Sequence, residues 1–360
     1  MNAVNDKWLN PQLKSIQPYE PGKPIEEVAR ELGIEADAIS KVASNENPMG
    51  PSPKALQAMQ ESASEMYLYP DGGAYYLRER LADIFNILPG QLIMGNGSNE
   101  ILEFIGHCYF AAGRSIVVSA HAFVIYKLIA ALFDTEVIEV PATENYGHDL
   151  DAVADAVRSD TCAVFVCNPN NPTGTMVGED EMRRFMAKIP EQVLVVLDEA
   201  YAEIALSDMP ETPAIIADYP NSIMLRTFSK AYGLAGLRAG YGVASEDIID
   251  SLQKTRQPFN LNRMAQKAGL AALDDDDFIE RSKSLFRESR EYLVEQFVDM
   301  GLEYVPTSTN FMLVNVGNGA DVTQKMMERG VIVRPMAGYG LPEFIRISFG
   351  TMEQNHNFVS

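Results

Sequence analysis

Short apolar runs, each bounded by polar or turn-forming residues, recur through the middle of the chain. Most are continuous rather than alternating, which is the pattern of strands buried on both faces of a parallel sheet. Helix-like periods, for example residues 99–112 and 179–189, lie between most of them. The seven runs occupy residues 91–95, 115–120, 135–140, 162–167, 193–198, 222–228 and 239–244. This alternation of strand-like and helix-like segments predicts an α/β fold built on a mostly parallel, seven-stranded sheet.

The two ends of the chain have a different pattern. Residues 11–24 contain four prolines, which indicates an extended arm, and a helical period follows at 25–33. After residue 272, a long amphipathic helix opens on acidic residues, closes at Gly301 and precedes strand-like runs. The runs lie at 310–316, 330–335 and 344–350 and are typical of a smaller α+β domain. We expect an N-terminal arm at 1–26, a large domain at 66–272, and a small domain formed by 27–65 with 273–360.

Charge and composition exclude several classes of partner. The 360 residues include 50 acids and 29 bases, a formal net charge of −21, which would repel nucleic acids and anionic membranes. The N-terminus is polar and lacks the apolar stretch of a secretory signal. Three cysteines without a C-x-x-C pair favour a reducing cytoplasm over a disulfide framework or a zinc site. The acidic run Asp274–Asp277 is interpreted as a solvated helix start rather than a metal site.

Polar side chains follow several of the apolar runs at the point where each run ends. The turn at 168–174, which contains Asn171, follows one run, Asp198 and Tyr201 follow another, and Lys230 follows a third. The carboxyl ends of parallel strands meet at one edge of a sheet, so these groups should lie together. Each also has a simpler interpretation as a helix cap, a turn or a surface lysine, and Ser98 in the turn after residue 95 is most simply an N-cap.

One cofactor, pyridoxal 5′-phosphate, needs all of these groups together. A lysine amine forms a Schiff base with its aldehyde and then acts as general acid or base. A carboxylate keeps its pyridine nitrogen protonated, and an amide and a phenol can hydrogen-bond its ring hydroxyl. Its phosphate suits a helix N-terminus, hydroxyls and one arginine. Lys230 is the predicted amine and Asp198 the carboxylate, while Thr227, Ser229 and Arg238 flank the phosphate.

Three motifs, NPNNPTG (168–174), LDEAY (197–201) and TFSKAYGLAGLRAGY (227–241), give the chain a family resemblance. In this order and spacing, the chain resembles the fold-type I aminotransferases, and within them it is similar to the histidinol-phosphate aminotransferases. The resemblance extends from YEPGKP near the start to FIRISFGT near the end. It implies a pyridoxal-phosphate transferase fold of type I, with a large sheet domain and a smaller α+β domain.

The resemblance also implies roles for individual residues. Lys230, Asp198 and Tyr201 would be catalytic, with Asn171 and Tyr201 on the ring hydroxyl. Phe123 falls where the family places a ring-stacking aromatic. The phosphate would be held by Ser98, Asn99, Thr227, Ser229 and Arg238, together with Tyr69 of the neighbouring subunit, which implies a homodimer with shared active sites. Substrate would contact Arg346 through its carboxylate, Arg334 through its phosphate, and also Tyr19, Asn171 and Tyr69.

The implied reaction is reversible amino transfer between histidinol phosphate and 2-oxoglutarate, which gives imidazole acetol phosphate and glutamate in histidine biosynthesis. One departure bears on the substrate: where many members of the family have a tyrosine, this chain has Phe123, in HAFVIY. An aromatic amino-acid aminotransferase is therefore the first alternative. A decarboxylase of an amino-acid phosphate and a non-catalytic protein of the same fold are the others.

Overall fold

The protein is described by a computed structural model, which covers residues 8–14, 16, 18 and 22–360. Its strands in chain order are β1 Ser40–Lys41, β2 Leu92–Gly95, β3 Ser115–Ser119, β4 Glu136–Val140, β5 Thr161–Cys167, β6 Leu194–Asp198, β7 Ser222–Thr227, β8 Gly240–Ala244, β9 Tyr304–Val305, β10 Phe311–Asn315, β11 Val331–Ile332, β12 Arg334–Pro335 and β13 Phe344–Ser348. The α-helices from residue 22 onward are α1 Ile25–Leu32, α2 Pro53–Ser62, α3 Tyr75–Phe85, α4 Ser98–Tyr109, α5 Ile125–Leu132, α6 Leu150–Asp155, α7 Glu179–Met186, α8 Thr212–Asp218, α9 Glu246–Gln253, α10 Arg263–Ala272, α11 Asp276–Met300, α12 Gly319–Met327 and α13 Met352–Val359.

A seven-stranded sheet with the order β2-β8-β7-β6-β5-β3-β4 forms the centre of the fold. β8 runs antiparallel to β2 and β7, and the remaining neighbours are parallel. The predicted mostly parallel, seven-stranded sheet is confirmed. Six of its strands fall within the predicted apolar runs, and β5 begins one residue before its run, at Thr161.

Both faces of the central strands are covered, which explains why their sequences do not alternate between apolar and polar residues. Val164 and Val166 of β5 pack into the core on one face, and Ala163 and Phe165 pack into the core on the other. Successive residues of a strand point to opposite faces, so a strand covered on both needs apolar residues throughout. The edge strand β4 is the exception, with Glu136 and Glu139 exposed.

The parallel direction of β5, β6 and β7 brings their carboxyl ends to one edge of the sheet. The Asn168 amide donates to the Asp198 carbonyl at 2.9 Å, and the Glu199 amide donates to the Leu225 carbonyl at 2.8 Å. The polar residues that follow these strands are therefore held side by side, as the sequence predicted.

The C-terminal part of the chain contributes a four-stranded antiparallel sheet with the order β12-β13-β10-β9, and β11 pairs with β1. The long helix predicted after residue 272 is α11, which ends at Gly301 with φ of +69°. Asp275 before it accepts a hydrogen bond from Ser52 Oγ at 2.6 Å, and Asp274 pairs with Arg80 at 2.8 Å. The domain boundaries predicted from the sequence remain predictions.

Within the described part of the chain, no group of three or more potential metal ligands occurs, and no helix combines the length and hydrophobicity needed to cross a membrane. All three cysteines are free thiols.

Candidate active site

A cavity of about 270 Å³ opens at the carboxyl edge of β5, β6 and β7. Of the predicted site residues, Tyr69 lies outside the cavity, and Tyr19 is outside the described residues. The predicted residues that line the cavity are Ser98, Asn99, Phe123, Asn171, Asp198, Tyr201, Thr227, Ser229, Lys230, Arg238, Arg334 and Arg346. The cavity therefore brings together the groups that the sequence placed at separate strand ends.

Lys230 follows β7 and extends its amine into the cavity. Its Nζ donates to the Ser44 carbonyl at 3.2 Å and lies 5.7 Å from the centre of the Tyr201 ring. Burial lowers the pKa of this amine to about 8, and the positive charges of Arg346 and Arg238 contribute. At pH 7 about a tenth of the Lys230 amine is therefore neutral, which is the state that a nucleophile or a general base requires.

Asp198 ends β6 and presents its carboxylate to the same cavity. Its Oδ2 accepts a hydrogen bond from the Tyr126 hydroxyl at 2.6 Å. Its Oδ1 is buried and has no hydrogen-bond partner among the described residues. Burial raises the pKa of Asp198 to about 6, although the bond from Tyr126 acts in the opposite direction. A buried oxygen without a donor is a position for a ligand N–H.

Tyr201 and Asn171 are each fixed by a second side chain. The Tyr201 hydroxyl accepts a hydrogen bond from Asn45 Nδ2 at 3.0 Å, and Asn45 has a backbone φ of +53°. Asn171 Oδ1 accepts from Arg346 Nη1 at 2.5 Å. These bonds hold the phenol and the amide at the wall of the cavity.

The N-terminus of α4 forms another wall of the cavity. Here one sequence-based interpretation is wrong: Ser98 is the first residue of the helix, and Gly97, with φ of +80°, occupies the cap position. A side chain at Gly97 would place its Cβ 2.7 Å from an Arg238 guanidinium nitrogen. The glycine thus lets a guanidinium approach the open amides of a helix start, which is a favourable arrangement for an anion.

Two arginines lie opposite each other at the other end of the cavity. Arg334 of β12 and Arg346 of β13 are register partners in the antiparallel sheet. Arg346 also donates to the Ala43 carbonyl at 2.9 Å and lies over the Phe311 ring. Both arginines line the cavity, and guanidinium groups are suited to bind carboxylates and phosphates.

Aromatic and histidine side chains complete the surroundings of the cavity. Phe123 lines it and packs edge-on against Tyr126, with ring centres 5.7 Å apart. His121, two residues earlier, contacts the Tyr339 carbonyl through Nδ1 at 2.6 Å. The buried His148 forms hydrogen bonds with Ser119 Oγ and the Cys167 carbonyl.

Sequence reasoning missed two residues of this site, Tyr126 and Asn45. Tyr126 stands in the segment HAFVIY that drew attention for Phe123, and Asn45 stands in SNENPMG near the start of the chain. Their roles depend on contacts across 72 and 156 residues, which no local pattern signals.

Tyr69 lies on the surface, 78% exposed, with its ring stacked on Phe259 at a centre distance of 4.9 Å. This position does not serve the cavity of its own chain. Its predicted role at the phosphate of a neighbouring subunit remains a prediction.

Comparisons with known proteins agree with this arrangement. A histidinol-phosphate aminotransferase of Akkermansia muciniphila is 47% identical over 350 residues, which cover 97% of this chain and 96% of the relative. One from Methylobacillus flagellatus is 45% identical, with 96% and 94% covered. The crystal structure of histidinol-phosphate aminotransferase from Sinorhizobium meliloti in complex with pyridoxal-5′-phosphate superposes with a TM-score of 0.87, at 29% identity, over 98% of this chain and 95% of that one.

The profile of the family described as aminotransferase class I and II matches residues 38–360. With this match and the near full-length relatives, the chain belongs to the class I and II aminotransferases.

Proposed function

We propose that this protein is a histidinol-phosphate transaminase that uses pyridoxal 5′-phosphate to exchange amino groups between histidinol phosphate and 2-oxoglutarate. The observation that carries the proposal is the pairing of Arg334 with Arg346 in the cavity that also holds Lys230. Histidinol phosphate carries a phosphate ester away from its amine, and 2-oxoglutarate carries a second carboxylate. Both are anions with a distant negative group, and the paired guanidinium groups suit such substrates.

The residues of the cavity fit this cofactor. Asp198 Oδ1, buried without a described partner, would accept a hydrogen bond from the pyridinium nitrogen. Asn171 and Tyr201 would face the ring hydroxyl, and Phe123 would cover the ring. The phosphate would be held where Gly97 opens the start of α4, by Ser98, Asn99, Thr227, Ser229 and Arg238. When bound, the cofactor supplies the electron sink that stabilises negative charge on the substrate carbon.

The protein's own residues then have distinct tasks. Lys230 Nζ, with its lowered pKa, would hold and move the proton that leaves the amine-bearing carbon. Arg346 and Arg334 would orient the substrate through its anionic groups, so that this carbon lies near Nζ. Tyr126 would keep Asp198 in place and favour its ionised form.

We also propose that the protein works as a homodimer with shared sites. The exposed aromatic side chains of Tyr67, Tyr69, Tyr76 and Phe259 form an apolar surface that a second subunit would cover. In such a dimer, Tyr69 would reach the phosphate end of the partner's cavity.

The test is spectroscopic. Purified protein loaded with the cofactor should have a visible absorbance band, which histidinol phosphate should bleach and 2-oxoglutarate should restore. Phenylalanine, tested in parallel, should bleach the band only at much higher concentration. A preference for phenylalanine would indicate an aromatic aminotransferase, and carbon dioxide release without a need for 2-oxoglutarate would indicate a lyase.

The variant Arg334→Met provides a matched control. It should raise the concentration of histidinol phosphate needed for bleaching more than that of phenylalanine, which lacks a phosphate. Failure of the wild-type protein to take up the cofactor would overturn the proposal as a whole.

A further inference from the structure

A buried cluster of two carboxylates and one guanidinium lies beside the candidate active site without lining its cavity. Glu199, Arg226 and Glu203 form this cluster, which we call the charge clamp. Arg226 donates from Nε and Nη2 to Glu199 Oε2 at 3.0 and 2.8 Å, and its Nη1 lies 3.7 Å from Glu203 Oε1. The side chains of Glu199, Arg226 and Glu203 are 2%, 15% and 11% exposed, so solvent screens their charges weakly.

Two residues of the charge clamp are joined directly to cavity residues by the backbone. Glu199 follows Asp198, and Arg226 precedes Thr227. Successive residues of an extended strand point to opposite faces, so the clamp lies behind the side chains that face the cavity. The strands are bonded at this level, since the Glu199 amide donates to the Leu225 carbonyl. The Glu199–Arg226 pair lies on the face of the sheet opposite the cavity side chains. It therefore fixes the spacing between the strand ends that carry Asp198 and Thr227.

The other contacts of the charge clamp hold Glu199 and Arg226 in place, whereas neither carboxylate oxygen of Glu203 has a hydrogen-bond partner among the described residues. Glu199 Oε1 accepts a hydrogen bond from the Thr212 hydroxyl, and the Arg226 guanidinium lies 5.3 Å from the centre of the Phe85 ring. The negative charge of Glu199 raises the pKa of Asp198, in addition to the larger effect of burial. Glu199 thus acts on Asp198 electrostatically, and Arg226 is the cation that offsets Glu199.

We propose that Glu199 and Arg226 are positioning residues that align Asp198 and Thr227 on the cofactor and set the electrostatic environment of the cofactor from behind the sheet edge. This inference rests on the proposed function, because it takes pyridoxal phosphate as the occupant of the cavity. Removing Arg226 leaves the Glu199 carboxylate uncompensated next to Asp198, and removing the charge of Glu199 leaves Arg226 with Glu203 alone. A purely structural pair would affect only the stability of the fold.

The experiment is a pH titration of the visible absorbance of the cofactor-loaded protein. Glu199→Gln keeps the size of Glu199 but removes its charge and replaces one of its two acceptor oxygens by an NH2 group, so it should move the midpoint of the absorbance titration down by about half a pH unit. Arg226→Met leaves Glu199 uncompensated and should move the midpoint up. Arg226→Lys keeps the cation and should leave the midpoint near that of the wild type.

Other titratable groups are the same in wild type and variants. Around the cavity they include Lys41, Glu46, Lys230, Arg238 and Arg346, together with Asp198 and the groups that face it, Tyr126, Cys167 and Tyr201. Near the clamp they include Glu203 and the Tyr232 and Tyr241 hydroxyls. Circular dichroism and the thermal shift gained on adding cofactor would establish that each variant folds and loads.

An unchanged midpoint in folded, loaded Glu199→Gln would overturn the inference. If Glu199→Gln does not fold, an unchanged midpoint in folded, cofactor-loaded Arg226→Met would overturn the inference. A wild-type protein that shows no visible band would instead contradict the proposed function, so the two failures are distinct.

Discussion

The Tyr126 hydroxyl donates to Asp198 Oδ2 at 2.6 Å, and it does so from a helix that follows β3, two strands away from β6 in the sheet. The bond occupies one oxygen of the carboxylate, and the other, Oδ1, is buried without a hydrogen-bond partner among the described residues. Burial alone would favour the neutral form of Asp198, and Tyr126 is the side chain that opposes this effect. Tyr126 thus helps Asp198 to stay ionised where a ring nitrogen would need it.

Tyr126→Phe should weaken the binding of pyridoxal phosphate. The change removes a hydrogen bond to a charged group, and such bonds contribute about 1.5–3 kcal/mol, so we expect an affinity loss of at least about tenfold. Titration of the apoprotein with the cofactor, followed by absorbance, measures the effect. Tyr109→Phe, on a partly buried tyrosine remote from the cavity lining, is the control, and equal affinities of the two variants would contradict the role of Tyr126.

Lys230→Met should abolish transamination but stabilise the apoprotein at neutral pH. The lysine pKa is lowered from 10.5 to about 8, so the unfolded chain binds more protons than the folded one between these values. The lysine therefore lowers the free energy of unfolding of the apoprotein by its full amount below pH 8. This destabilisation disappears as the pH rises to 10.5. We expect a gain of about 3 kcal/mol for the variant at pH 7, decreasing to almost none near pH 10.5.

Urea unfolding of the apoproteins across this pH range would measure the difference. Lys325→Met, on a lysine whose side chain is 68% exposed, should show no comparable trend. A stability difference that stayed constant with pH would show that the Lys230 amine is not destabilised by burial.

His121→Ala should raise the KM for substrate more than it lowers kcat. His121 binds the Tyr339 carbonyl at 2.6 Å, and Tyr339 lines the cavity beside Arg334. Loss of one neutral hydrogen bond, about 1 kcal/mol, corresponds to a roughly fivefold change in KM. His121→Asn keeps a short side chain with a donor and should recover part of the loss. A fall in kcat without a change in KM would assign His121 to the chemistry instead.

Mixing Tyr69→Ala with Lys230→Ala should recover activity if Tyr69 serves the partner's site. In a heterodimer, one site would have both residues and the other would have neither. Random exchange of subunits makes about half of the dimers mixed, so about a quarter of the sites should be intact. Activity that stays at the sum of the two separate variants, despite subunit exchange confirmed by mass spectrometry, would place Tyr69 outside the active site.

The parts of the fold that the sequence predicted are those that depend on burial. Strands such as β5 and β6 are covered on both faces, and their continuous apolar runs reveal them without an alignment. The polar residues after them were predicted to meet because parallel strands end at one edge. The family motifs then gave those residues their expected roles.

The parts that escaped prediction depend on backbone angles and on contacts distant in sequence. Ser98 looked like a helix cap because serine favours that position, yet Gly97 takes it with a φ that serine adopts rarely. Asn45, also at positive φ, reaches Tyr201 only because the segment before α2 folds over the sheet edge. Such geometry is set by tertiary packing rather than by local preference.

The opposed guanidinium groups of Arg334 and Arg346 have a consequence for substrate choice under the proposed function. The same two groups would receive a phosphate ester in one half of the reaction and a dicarboxylate in the other, while Lys230 stays in place. Histidinol phosphate and 2-oxoglutarate would then share one feature, the distance from the reacting carbon to a remote anionic group. They share neither the imidazole ring nor the chain that joins the reacting carbon to that group. The site would select molecules by that length.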